Sequence, residues 1–283
     1  MEKHQLLQHQ TQIVSETLEQ ILGTNQAYVF GYKDERHYFS VFPTADLRKT
    51  NKPHLDILVF SAKTFEGLNN TLSDLIAQRS RQEFSATILL HQTKHLKERS
   101  TDMHWFFDRV LHFGIPLGDY ELKTGDPICD PERDLVAAEA FWHKCEAVAS
   151  LYLESALESQ RLDIELAKVA LLTQAVEYLL LGLVRIFLGY TPIQHNLKFL
   201  FSLCGHFTAL HEVVFEQETA IGKRNFRQLC VPATMLRQWD KLELPEAEFE
   251  SLSDACQTFC DEATKLALTK LAQLKNNPKI ETR

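Results

Sequence analysis

The sequence has no apolar run long enough to cross a bilayer. Its longest apolar run is Tyr178–Val184, whereas a membrane-spanning helix needs about 20 consecutive apolar residues. The first twelve residues are rich in glutamine and histidine and have no apolar core of the kind found in signal peptides. We therefore expect a cytoplasmic protein with no membrane partner.

The sequence also lacks a cysteine framework, internal repeats and low-complexity segments. Its six cysteines are scattered without a regular spacing, at positions 129, 145, 204, 230, 256 and 260. In a cytoplasmic protein such cysteines are expected to be reduced thiols. The composition, 45% hydrophobic and 24% charged, is ordinary for a soluble globular protein.

Basic residues are too few to balance the acidic ones, and the deficit lies in the second half of the chain. The net charge is −8, of which residues 1–125 contribute −1 and residues 126–283 contribute −7. An acidic surface repels a phosphate backbone unless a local basic groove overrides it. Nucleic acid is therefore not the expected partner.

Residues 1–125 mix short apolar runs of strand length with stretches of helical periodicity. They predict an α+β domain with a small mixed sheet. A linker is predicted at Glu121–Pro131, where glycine, aspartate and proline cluster. The predicted helices are residues 3–22, residues 61 or 64 to 81, and Asp102–Leu111; the predicted strands are Ala27–Gly31, Tyr38–Phe42, Leu55–Phe60 and Ala86–Leu90.

Residues 126–283 keep the 3.6-residue period of an α-helix almost throughout. Gly189 and Pro192 give a helix-stop signal in the middle of this region, and Pro245 opens its last helix. We expect one all-α bundle of five helices: Glu132–Ser159, Leu162–Leu188, His195–Cys204, His211–Ile221 and Pro245–Leu274.

The first half carries a recognisable motif. Val29-Phe30-Gly31-Tyr32 is followed by His54-Leu55-Asp56-Ile57-Leu58-Val59, which resembles the nucleotidyltransferase signature of the DNA polymerase β-like fold. In that signature an apolar strand ends in Gly-Ser, and a second strand carries two acids at alternate positions. Such acids share one face of the sheet and can hold divalent metal against phosphates. The resemblance implies a nucleotide site formed by Gly31, Tyr32, His54 and Asp56, with Asp56 as the catalytic residue if the site is active.

The motif departs from the family pattern at its key positions. Tyr32 stands where a small hydroxyl residue belongs, and His54 stands where the first acid belongs. The later strand, Ala86–Leu90, offers no third acid. One carboxylate is a poor site for two magnesium ions, so no metal site or cofactor is assigned; Mg²⁺ and a nucleotide would be required only by a working transferase.

The second half carries another motif. Leu172-Thr173-Gln174-Ala175-Val176-Glu177-Tyr178 precedes Gly189-Tyr190-Thr191-Pro192-Ile193-Gln194-His195-Asn196-Leu197. This order resembles the HEPN domain (higher eukaryotes and prokaryotes nucleotide-binding). The residues that carry the resemblance are Gln174, Glu177, Pro192 and His195. Glu177 is a candidate either for the buried partner of His195 or for a residue that faces a subunit interface.

Many HEPN domains are ribonucleases that use an arginine followed by a histidine. Arg224 stands near the position of that arginine, but no histidine follows it within range. Ribonuclease activity is therefore the weakest of the alternatives.

The order of the two motifs resembles a bacterial family in which a nucleotidyltransferase-like domain is fused to a HEPN domain. Trp105-Phe106-Phe107-Asp108 and the stretch Gly114-Ile115-Pro116-Leu117 between them strengthen the resemblance. It implies a homodimer formed through the helical half, in a setting such as toxin–antitoxin or stress-response systems. The predicted function is binding of a nucleotide or a protein partner rather than turnover. The main alternative is a metal-dependent nucleotidyltransferase that uses Asp56.

Overall fold

The computed structural model describes residues 8–23, 26–42, 52–63, 67–96, 103–118, 135–158, 165–216, 218–231 and 245–276. The chain divides into two compact units, Met1–Glu132 and Arg133–Arg283. The first contains a mixed sheet and the second is helical, so the broad α+β architecture is as predicted. The predicted linker, Glu121–Pro131, lies outside the described residues.

The first unit is built around a five-stranded sheet. The strand order is β2-β1-β3-β4, and β5 also pairs with β1. Strand β1 is antiparallel to β2, β3 and β5, whereas β3 and β4 are parallel, which makes the sheet mixed. The strands are β1 Gln26–Lys33, β2 Tyr38–Ser40, β3 His54–Ser61, β4 Ser85–Gln92 and β5 Ile115–Leu117; the helices are α1 Gln8–Leu22, α2 Leu68–Arg79 and α3 His104–Phe113, with a 3-10 helix at Thr93–Leu96.

Helices pack against both faces of this sheet. On one face, apolar residues of α1 and α2 form a core with alternate residues of the strands, among them Leu18, Ile57 and Leu72. On the other face, aromatic side chains of α3 meet those of the strands. Phe107 lies edge-on to Phe60, with ring centroids 5.4 Å apart. His91 of β4 lies within this aromatic cluster, with its ring centroid 5.0 Å from that of Phe107.

Strand β1 contains a β-bulge at Phe30. Val29 pairs with Ile57 and Gly31 pairs with Asp56, so Phe30 is an extra residue without a partner on β3. The prediction that the strand ends at Gly31 is wrong, because pairing continues to Lys33. The extra residue reverses the alternation of faces beyond it.

The second unit has six helices in its described part: α4 Leu135–Glu158, α5 Glu165–Leu188, α6 Leu197–Cys204, α7 Leu210–Val214, α8 Ala220–Leu229 and α9 Glu246–Asn276. The predicted single helix His211–Ile221 is wrong, because it is split between α7 and α8. Glu216 adopts a left-handed φ of 28°, which ends the first piece. Thr219 then caps the second piece, its hydroxyl accepting a hydrogen bond from the Gly222 N–H at 2.9 Å.

Helix α5 is a long and strongly apolar helix of this unit. Its stretch Ala167–Leu188 is long and apolar enough to span a membrane by length and composition, although charged residues interrupt any pure apolar run. However, 67% of its most apolar window is buried within the structure. Such burial is typical of a core helix in a soluble bundle.

Helices α4 and α5 approach closely at a glycine. Trp142 of α4 is fully buried, and its ring lies over Gly182 of α5. A Cβ atom at Gly182 would lie 2.6 Å from Cε3 of Trp142 and 3.3 Å from Cβ of Cys145. The close packing of α4 against α5 therefore requires glycine at this position.

Replacing Gly182 with alanine tests this close approach. Alanine is the better helix former by about 1 kcal/mol, but here its methyl group would meet the Trp142 ring. We expect Gly182→Ala to lower the free energy of unfolding by roughly 1–3 kcal/mol, measured by urea denaturation. Ala272→Gly, at an exposed position of α9, measures the effect of helix propensity alone. A Gly182→Ala protein as stable as the wild type would contradict the packing.

Candidate functional site

Two adjacent rows of paired residues cross strands β1, β3 and β4. Residues that pair directly across strands point to the same face of the sheet. Both rows lie on the face opposite the α1/α2 core, because Leu55 and Ile57, which alternate with the row residues on β3, belong to that core. The rows are Lys33–His54–Ser85 and Gly31–Asp56–Thr87; we call this group the two-row site.

The imidazole of His54 connects the two rows. Its Nδ1 lies 2.7 Å from Oγ of Ser85 in its own row. Its Nε2 lies 3.0 Å from Oγ1 of Thr87 and 3.3 Å from Oδ1 of Asp56 in the other row. One side chain thus fixes the positions of a carboxylate and two hydroxyls.

Burial increases from the first row to the second. The side chain of Asp56 is 4% exposed and that of His54 is 16% exposed. Ser85 and Lys33 are also partly exposed, whereas Thr87 is buried. A buried carboxylate needs polar partners to offset its desolvation, and His54 is one of them. A ligand from solvent would meet the Lys33–His54–Ser85 row first.

The structure brings together three of the four residues that the nucleotidyltransferase motif predicts. Gly31, His54 and Asp56 belong to the two-row site. Tyr32 does not, because the bulge turns its side chain into the α1/α2 core. Its hydroxyl donates a hydrogen bond to Oδ2 of Asp34 at 2.6 Å. Burial and this contact with Asp34 raise the pKa of Tyr32 above its usual range.

Three residues of the site were missed by the sequence analysis: Lys33, Ser85 and Thr87. Lys33 was missed because β1 was predicted to end at Gly31. Ser85 and Thr87 repeat the alternate spacing of His54 and Asp56, and this polar period of two was a usable signal. It was overlooked because the predicted strand began at Ala86, one residue too late.

The ligand set does not fit a pair of magnesium ions. Among the residues that the structure describes, no group of three or more histidine, cysteine, aspartate or glutamate side chains could hold a metal. In the two-row site Asp56 is the one carboxylate, and its Oδ1 already lies against His54. Magnesium favours several oxygen ligands in octahedral geometry, so no chemical step at this site is assigned to a metal.

The turn between β1 and β2 holds the end of β1 that carries Lys33. The carboxylate of Asp34 accepts hydrogen bonds from the Tyr32 hydroxyl at 2.6 Å and from the N–H groups of Arg36 and His37 at 2.6 and 2.5 Å. Burial alone would raise the pKa of Asp34, but these hydrogen bonds outweigh it and hold the pKa at about 2.

The four residues of the HEPN-like motif also lie together, in the second unit. The Gln174 amide donates to Oε2 of Glu177 at 3.3 Å. Nδ1 of His195 lies 3.4 Å from Oε1 of Glu177, and its Nε2 lies 3.3 Å from the carbonyl oxygen of Pro192. Burial raises the pKa of Glu177, while His195 and Gln174 act in the opposite direction. Glu177 is thus the partner of His195 that the sequence suggested.

Arg224 takes part in a different contact. Its guanidinium donates to Oε1 of Glu248 at 3.0 Å, and Gln228 donates to the other oxygen of Glu248 at 2.9 Å. These bonds join α8 to α9. An arginine that is paired with a carboxylate of its own unit is poorly placed to hold an RNA phosphate, so the ribonuclease alternative gains no support from its contacts.

No protein-family model, curated protein or solved structure matches this chain. The resemblances to nucleotidyltransferases and to HEPN domains therefore stay predictions, and function has to be argued from the geometry of the sites.

The low pKa of Asp34 predicts an acid-sensitive contribution to stability. Because the pKa in the folded protein, about 2, lies below its ordinary value of 3.8, the contribution is complete only above about pH 5 and is lost as the pH falls toward 2. Solvent screening in this surface turn limits it to about 1 kcal/mol. The difference in unfolding free energy between the wild type and Asp34→Asn should shrink between pH 6 and pH 3, whereas Gln78→Ala, an exposed substitution that removes no titrating group, should show no such trend. A constant difference for Asp34→Asn would contradict the hydrogen-bonding role.

Proposed function

We propose that the first unit binds the phosphate group of a nucleotide at the two-row site, without metal-dependent nucleotidyl transfer. The observation that carries this proposal is the cross-strand row Lys33–His54–Ser85, which presents a cation, an imidazole and a hydroxyl on the partly exposed side of the site. A lysine ammonium and hydroxyl donors are common phosphate ligands, and Gly31 leaves the neighbouring backbone without a side chain.

The negative charge of Asp56 acts against an anionic ligand. The effect of this charge is reduced because Asp56 lies in the buried row and its Oδ1 is in contact with His54 of the exposed row. Binding is favoured over transfer because the row that holds Asp56 contains no second carboxylate. The nucleotide is the ligand implied by the resemblance to nucleotidyltransferases.

Titration with ATP in the absence of metal tests the proposal. We expect Lys33→Ala to weaken binding at least about tenfold, because the phosphate loses its cation. Lys63→Ala is the matched control, since Lys63 is exposed and follows the opposite end of β3. Isothermal titration calorimetry measures both variants. Absence of ATP binding by the wild type, or an equal loss in both variants, would refute the proposal.

Transfer of labelled nucleotide in the presence of Mg²⁺ distinguishes the alternative. A product formed by the wild type and lost in Asp56→Ala would establish a nucleotidyltransferase and remove the binding-only proposal.

For the second unit we propose a homodimer formed through α4. Val136 and Leu151 are 79% and 62% exposed, unusually high for large apolar side chains. With Ala140 and Ala147, also exposed, they follow one side of the helix. Their positions are symmetric about the point between residues 143 and 144. An antiparallel α4 pair would therefore set Val136 against the partner's Leu151 and Ala140 against the partner's Ala147, the self-complementarity that a two-fold interface requires.

A charge on this side of α4 should separate the subunits. We expect Val136→Asp combined with Leu151→Asp to convert a dimer into a monomer, because two buried carboxylates would face apolar partners. Light scattering after size-exclusion chromatography gives the mass. Val213→Asp, at a 51% exposed position on α7, should leave the dimer intact. A wild type that is monomeric at every concentration would contradict the proposal.

A further inference from the structure

We propose that Ser85 is a nucleophile, activated by His54 and oriented through Asp56, which gives the first unit a metal-free esterase activity. The inference goes beyond phosphate binding and does not depend on it. It rests on three side chains whose hydrogen bonds form a continuous chain: Ser85, His54 and Asp56.

We assign the ring proton of His54 to Nε2, where Oδ1 of Asp56 at 3.3 Å and Oγ1 of Thr87 at 3.0 Å can both accept it. In a neutral imidazole Nδ1 is then the acceptor. The Ser85 hydroxyl, 2.7 Å from Nδ1, therefore donates its proton to the ring. This is the arrangement of nucleophile, base and orienting acid that activates a serine.

Thr87 and the burial of the acid support this arrangement. Oγ1 of Thr87 lies 3.0 Å from Nε2 and holds the same side of the ring. Asp56 and Thr87 are buried, whereas Ser85 and His54 are partly exposed. The nucleophile thus faces solvent, while the contact that orients its base is shielded from water and is strengthened by the lower local dielectric.

The histidine–carboxylate pair of the HEPN-like motif, His195 and Glu177, lacks this property. His195 contacts Glu177 through Nδ1, but its Nε2 faces the carbonyl oxygen of Pro192. A carbonyl has no proton to give, so this imidazole has no nucleophile to activate. The difference between the two pairs is the Ser85 hydroxyl.

The substrate class is a small activated carboxylic ester. Oγ of Ser85 attacks the carbonyl carbon while its proton passes to Nδ1 of His54. The C–O bond to the leaving group then breaks, and His54 returns the proton to the departing oxygen. Water attacks the acyl-serine and gives a proton to His54. His54 returns this proton to Oγ as the acyl–serine bond breaks, which releases a carboxylic acid and the free serine.

Acetylation by p-nitrophenyl acetate tests the inference on the full-length protein. We expect a burst of p-nitrophenol and one acetyl group on the peptide that contains Ser85, both measured without metal. Ser85→Ala should abolish the adduct, and His54→Gln should slow its formation by about a hundredfold. Ser73→Ala, a partly exposed serine of α2, should react like the wild type.

Ser85→Cys keeps the test informative if Ser85→Ala fails to fold, because the thiol should be acetylated at the same position. An adduct that persists in Ser85→Ala, or a wild type without an adduct at Ser85, would overturn the inference. Neither result would bear on ATP binding, which is lost through Lys33→Ala; conversely, acetylation of Ser85 without ATP binding would refute only the proposed function.

Discussion

The extra residue at Phe30 determines what the sheet of the first unit presents to either side. Were β1 paired with β3 without a bulge, Tyr32 would lie opposite His54, and Lys33 would point toward the α1/α2 core. With the bulge, the apolar ring of Tyr32 completes that core, and Gly31 and Lys33 take their places beside Asp56 and His54. Phe30 itself packs against Phe106 of α3, with ring centroids 5.6 Å apart. The single inserted residue thus places Tyr32 on the apolar face of the sheet and Gly31 and Lys33 on the face that carries the two-row site.

Much of this architecture was accessible from sequence, and the limits have physical causes. Period-two and period-3.6 patterns located the long core elements, such as β3 and α5, because burial of one face imposes the pattern directly. The bulge in β1 could not be predicted in this way. It is defined by the pairing of β1 with β3, and the local hydrophobic pattern of β1 contains no information on that pairing. Likewise His211–Ile221 was predicted as one helix. The left-handed conformation of Glu216 and the Thr219 cap divide it into two. Gly31, His54 and Asp56 came from a motif, whereas Lys33, Ser85 and Thr87 become neighbours only through strand register.

The two units use a histidine and a carboxylate in different ways. In the helical unit, Glu177 and the Pro192 carbonyl hold His195 between two acceptors at the junction of α5 and α6. In the sheet, His54 has a carboxylate on one nitrogen and a hydroxyl on the other. The same pair of residue types therefore fastens a turn in one case and polarises a serine in the other. The group on the second ring nitrogen, the Ser85 hydroxyl in one case and the Pro192 carbonyl in the other, decides which chemistry is available.

The two-row site draws its members from three strands that are far apart along the chain, at residues 31–33, 54–56 and 85–87. Each row of the site needs two non-local pairings, β1 with β3 and β3 with β4, and such pairings form slowly because long loops have to close first. The last of these is the parallel pairing of β3 with β4, which α2 bridges as a crossover. During refolding the site should consequently appear late and all at once. The hydrogen bond between His54 and Ser85 would then report the completed pairing of β3 with β4, which a spectroscopic signal from a single helix does not.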